Sequence, residues 1–158
     1  MAHIHDKIDF TAEVFVVHEG KVLLRKHDKY KIWLSVGGHV ELDEDPNQAA
    51  LREVMEEVGL AVELFDTRAG VPNNDDEWEE LVPPIAIGRH VALHPTNPDH
   101  VHVTFIYFAK SETDEVRVSD RSDKSDEWQW LTFDQLDALE MPENVREYAK
   151  RALRELSS

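Results

Sequence analysis

Three glutamates set the first question. Glu53, Glu56 and Glu57 are spaced i, i+3, i+4 in the run PNQAALREVMEEVGL. On a helix those positions fall within one narrow arc. Like charges at this spacing repel one another by about 0.2–0.5 kcal/mol per pair. A bound divalent cation reverses the sign of that interaction, and clustered hard oxygen donors suit Mg2+ or Mn2+. The competing reading is a solvated acidic face, in a chain where Asp and Glu number 33 of 158 residues.

A helix is needed to hold the three together, and its ends are signalled. Asp45 suits the N-cap, Pro46 the first helical position and Gln48 the capping-box position. Gly59 suits the position just past the last turn. Leu51, Val54, Met55 and Val58 are expected to form the packing arc.

The wider spacing is more specific. It reads Gly38, five residues, Glu44, seven residues, Arg52-Glu53-Val54, one residue, Glu56-Glu57, one residue, Gly59-Leu60. This resembles the signature of the Nudix hydrolase family at every defined position. The resemblance implies an α/β fold, specifically an α/β/α sandwich with a mixed β-sheet, as one domain over residues 1–158. It implies divalent-metal-dependent hydrolysis of a nucleoside diphosphate linked to another moiety X. The products would be a nucleoside monophosphate and phosphorylated X or pyrophosphate, with a nucleoside triphosphate or oxidised nucleotide as default substrate. Carried onto this chain, the family's metal carboxylates are Glu53, Glu56 and Glu57, one of which, or a carboxylate from elsewhere, deprotonates the water. Gly38 (or Gly37) would offer a carbonyl, and Glu44 with Arg52 would brace the loop against the helix. A further acidic ligand is expected before a late Trp-containing strand, among Asp120, Asp123, Asp126 and Glu127; Glu127, beside Trp128, is the choice. The alternative is a nucleotide-binding regulatory module on the same fold without turnover.

Composition bounds the partners. The formal net charge of −16 disfavours a nucleic-acid backbone or an anionic membrane. It also disfavours bare polyphosphate substrates unless metals invert the local field; a small nucleotide-diphosphate substrate as partner is what the resemblance implies. Zero cysteine excludes disulfides, thiolate metal sites and a Cys nucleophile, and with them the isopentenyl diphosphate isomerase branch of the fold. A cytoplasmic location is expected, with no signal peptide and no membrane-spanning run. Whether the chain forms a homodimer is left open.

Along the chain, residues 10–17 read as a strand, 18–21 as a turn and 22–25 as the return strand of a hairpin. Arg25, Lys26, Lys29 and Lys31 form the densest basic patch, with Arg25 the best placed for substrate phosphate. Trp33 stacks on a base or joins the core. Residues 61–69 read as a strand with Arg68 near its end, followed by an acidic loop over 71–84 that carries Trp78. Arg25, Trp33, Arg68 and Trp78 are thus the candidate substrate contacts. Residues 85–93 and 101–110 form a second hairpin, 128–131 a last strand, and 134–139 and 142–156 two helices. His3 and His5 form an H-x-H pair read as surface residues. His100 and His102 share a strand face, but with no third ligand nearby in sequence they read as structural.

Overall fold

The structure is a computed structural model and describes residues 4–28, 30–92, 96–118 and 126–156. His3, Lys29, Leu93, Pro95, Asp120 and Asp123 lie outside the described residues. Among the described residues no helix is long and apolar enough to cross a membrane.

Among the described residues one mixed sheet of eight strands carries three helices. The strands are β1 (Ile8–His18), β2 (Lys21–Lys26), β3 (Trp33–Leu34), β4 (Val36–His39), β5 (Val62–Leu64), β6 (Ala86–Val91), β7 (Val101–Ser111) and β8 (Glu127–Leu131). The helices are α1 (Pro46–Val58), α2 (Phe133–Asp137) and α3 (Glu143–Leu156). β1 and β7 run parallel through the middle, with Asp9 opposite His102, Thr11 opposite Thr104 and Glu13 opposite Ile106. The outer edge of β1 is divided between β4, at residues 11–14, and β2, at residues 16–18. The outer edge of β7 is divided between β6 and β5. The sheet therefore forks beside Phe15, between β2 and β4, two residues beyond Glu13. The first hairpin turns on Glu19 and Gly20, both with positive φ (43° and 76°), as a two-residue turn between right-twisted strands requires.

Alternation along β1 assigns its two faces. Ala12, Val14 and Val16 pack with Ala49, Ala50, Val54 and Val58 of α1. Phe15 and Val17 pack with Phe108, Leu136 and the Ala149, Ala152 and Leu153 stripe of α3. Fully burying one such Val or Leu contributes about 1.5–3 kcal/mol, so each helix is fixed by several residues of this kind.

The ends of α1 follow the residues that signal them. The Asp45 side chain accepts from the Gln48 backbone N–H, and the Gln48 side chain accepts from the Asp45 N–H, both at 2.9 Å. Gly59 closes the helix in the left-handed region and donates to the Met55 carbonyl. The packing arc differs from the expected one. Leu51 and Met55 are exposed, and Ala49, Ala50 and Glu53 are buried in their place. Two alanines in the contact let the helix lie close to the sheet, which turns the larger pair outward. The strand expected over residues 61–69 is also shorter, ending at Leu64; beyond it Arg68 folds back on Asp66 in an irregular segment.

Asp45→Ala removes the cap and one half of the reciprocal box. It should lower the unfolding free energy by about 1 kcal/mol in urea titration, with an unchanged m-value. No change in the midpoint would show that sheet packing alone fixes the helix start.

Candidate functional site

Arg52 sits at the centre of the carboxylate edge and uses all five guanidinium N–H donors. Nε and one terminal nitrogen form a fork on Glu44, at 2.9 and 2.6 Å. That nitrogen also donates to the His39 carbonyl at 2.9 Å. The other terminal nitrogen donates to Glu53 at 2.9 Å and Glu56 at 3.1 Å. The segment from β4 to α1 is thereby tied to the helix, and two of the three glutamates are aimed together. Hydrogen bonding from Arg52 holds the Glu44 carboxyl below its ordinary value, and the same contact holds the Arg52 guanidinium above its own.

The other side of the cluster is held by Arg25. Its guanidinium lies 3.6 Å from both Glu57 and Asp126 and over the Trp128 ring. Four acidic groups, Glu53, Glu57, Glu13 and Asp126, thus converge on a region with two arginines. Burial pushes the Glu57 carboxyl up to about 8, against the pull of Arg25 and the Gly37 N–H and with the push of Glu53 and Glu13. Burial likewise pushes Glu13 up to about 7, although Ser35 donates to it at 2.6 Å. Glu53 is raised too, again by burial first.

Glu13 is a residue that sequence reasoning missed. It stands on the β1 face that continues into Phe15 and Val17, so a charge occupies a core phase of the strand. That mismatch within FTAEVFVV was the available signal. Glu13 also borders a cavity of about 390 Å3 between the sheet and the start of α3, lined among others by Thr11, Ser35, Arg89, His102 and Tyr148. The size is within the range of small-molecule sites.

Of the substrate contacts expected from sequence, Arg25 reaches the site, where it bridges two carboxylates. Trp33 is 6% exposed in the core under α3, so it presents no face to a ligand. Arg68 is held by Asp66 at 2.6 Å and the Glu80 carbonyl at 2.7 Å, which makes it a brace of its own loop. Trp78 is exposed on that loop and does not line the cavity. Glu127 is exposed on β8, whereas the Asp126 side chain is 2% exposed and faces Arg25. Strand alternation explains the correction: Asp126 shares a face with Trp128, and Glu127 points the other way.

The donor set suits a hard divalent cation on the structure's own terms. Glu57 Oε2 is buried with no hydrogen-bond partner in the structure. Gly38 lies so close to Glu53 that a Cβ there would overlap its carboxylate. Carboxylates raised first by burial and then by one another, with an orphaned oxygen among them, are what a missing positive charge leaves behind. Glu53, Glu56 and Glu57 could hold such an ion, with Asp126 near Glu57 through Arg25.

Comparison with known proteins identifies the family and the fold. A NUDIX domain model matches residues 9–156. A probable DHNTP pyrophosphohydrolase of Lactococcus lactis is 26% identical over 145 residues, 92% of this chain and 74% of that protein. An RNA pyrophosphohydrolase of Dinoroseobacter shibae is 32% identical over 101 residues, 63% of this chain and 59% of that protein. The crystal structure of a NUDIX-family hydrolase from Clostridium perfringens superposes with a TM-score of 0.77 at 30% identity, covering 94% of this chain and 97% of that one. The chain belongs to the Nudix family, and with it to the hydrolases of phosphoric anhydrides.

Proposed function

We propose that this chain cleaves the diphosphate of a small heterocycle-bearing triphosphate, a nucleoside triphosphate or one of similar size, with Mg2+ or Mn2+. The observation that carries this reading is the pairing of an under-neutralised glutamate edge with a cavity of about 390 Å3. The cavity offers Leu34, Phe15 and Tyr148 as apolar and aromatic surface and Ser35, Thr104 and Asn144 as hydrogen-bonding groups, a lining suited to a heterocycle. The DHNTP hydrolase of Lactococcus lactis is named for a substrate of this class. The relatives named for RNA or mRNA are matched over 24–59% of their own length, and a net charge of −16 opposes a long polyanion here.

When bound, a divalent cation neutralises phosphoryl oxygens and lowers the pKa of an attacking water. The protein's part is to place charge. Glu53, Glu56 and Glu57 would hold the ion, and Arg52 fixes the direction of the first two. Arg25 and Glu13 stand between the glutamate edge and the cavity, where a diphosphate would lie. Glu13, close to half-ionised near neutral pH, is suited to exchange a proton there.

A panel of nucleoside triphosphates, oxidised nucleotides, DHNTP and 5′-triphosphorylated RNA, incubated with Mg2+ or Mn2+, tests the reading through the released products. Turnover of a small triphosphate is expected, reduced about 100-fold or more in Glu57→Gln. Binding without turnover across the panel would instead favour a regulatory module.

Stability carries a second signature. Glu57 and Glu13 have folded values of about 8 and about 7 against an ordinary 4.5, so the folded state holds more protons between those limits. Their contribution is therefore complete below about 4.5 and is lost as pH rises to about 8. The metal-free protein should melt at a lower temperature at pH 8 than at pH 6. Glu57→Gln should flatten that fall, and Mg2+ should restore more stability at pH 8. An identical slope in wild type and Glu57→Gln would contradict the assignment.

A further inference from the structure

At the far end of the same sheet face, away from the glutamates, lies a second group of metal-binding side chains. Asp9, His100 and His102 each offer one ligand atom, and these atoms all lie within 4.8 Å of one another. The parallel pairing of β1 with β7 creates the group by setting Asp9 opposite His102. His39 of β4 and His90 of β6 flank it, their rings 4.9 and 5.3 Å from that of His102 and nearly perpendicular to it.

We propose that Asp9, His100 and His102 bind a divalent transition metal of borderline softness, with Zn2+ as the reference ion. Three observations carry this. The first is donor type: imidazole and carboxylate together suit Zn2+ and its neighbours, whereas the glutamate edge suits Mg2+. The second is spacing. Ligands about 2.0–2.1 Å from a tetrahedral ion lie about 3.3–3.4 Å apart. Asp9 Oδ2 is 3.3 Å from His100 Nε2, and the ligand atom of His102 lies within 4.8 Å of those of the other two.

The third is orientation. His100 Nδ1 lies 3.0 Å from the Asp6 carbonyl, which can only accept, so Nδ1 carries the proton. Nε2 is then the ring atom that faces the Asp9 carboxylate, at 3.3 Å. A ring N–H given to a backbone carbonyl is the usual support of a metal-bound histidine. Asp9 is fixed in turn by the backbone N–H groups of His5, at 2.8 Å, and Ile4, at 3.2 Å. His100 and Asp9 are buried, but His102 lines the substrate cavity, which gives the ion its way in. Among the described residues the site would have three protein ligands.

The test is calorimetric titration of the chelator-stripped full chain with Zn2+ in excess Mg2+, repeated on Glu57→Gln, His102→Ala and Asp9→Asn. One Zn2+ per chain is expected for wild type and for Glu57→Gln, with affinity lowered about 100-fold or more in His102→Ala and Asp9→Asn. Co2+ should give the intense visible absorption of a tetrahedral site in wild type and not in His102→Ala. His102→Gln, which keeps the volume of a partly exposed side chain, serves if a buried substitution fails to fold. Absence of saturable Zn2+ uptake by wild type, or uptake unchanged in the His102 variants, overturns the proposal. The site shares no residue with the glutamate edge, so either result leaves the reading of that edge standing.

Discussion

The structure of the carboxylate edge depends on one guanidinium. Arg52 donates to Glu44, Glu53, Glu56 and the His39 carbonyl at once. Without it, the loop between β4 and α1 would be joined to the helix mainly through the cap at Asp45, and two like charges a single helical turn apart would separate. A lysine cannot substitute, because one ammonium has three donors and no fixed fork. Charge counting shows why this brace leaves the cluster unfinished. Arg52 and Arg25 face Glu13, Glu44, Glu53, Glu56, Glu57 and Asp126, so the site remains short of positive charge.

Polarity changes along one face of the sheet, and this places the chemistry. Along β1 the residues of that face are Asp9, Thr11, Glu13, Phe15 and Val17, with His102, Thr104, Ile106 and Phe108 beside them on β7. The apolar end takes α3 and builds a core. The middle, where the edge of β1 passes from β2 to β4, remains open as the cavity. The far end gathers histidines around Asp9. Buried polar residues in this gradient are coupled to one another, as in the 2.7 Å contact between the Thr11 and Thr104 hydroxyls.

What could be read from the sequence was what local rules decide. Cap residues, the Pro at N1 and the terminal glycine fixed α1 to the residue, and alternation placed both hairpins. Long-range placement was less legible. The apolar arc read from helical spacing includes Leu51 and Met55, whereas the face that meets the sheet is shifted to Ala49, Ala50 and Glu53. Glu13 was passed over inside an apolar strand, although its burial is what raises its pKa. Glu127 was preferred to Asp126 for being next to Trp128, when the residue two positions away shares its face. His100 and His102 have no acidic neighbour of the same face in sequence; Asp9 is brought beside them from the first strand by parallel pairing, which no local pattern announces.

The account rests on capture of a divalent cation by the glutamate edge of α1. Anomalous diffraction from crystals soaked in Mn2+ addresses that most directly. A peak within coordination distance of Glu53, Glu56 and Glu57 carboxylate oxygens is the expected result. A fully soaked crystal with no peak there, and those side chains still held by Arg52 and Arg25 alone, would contradict it.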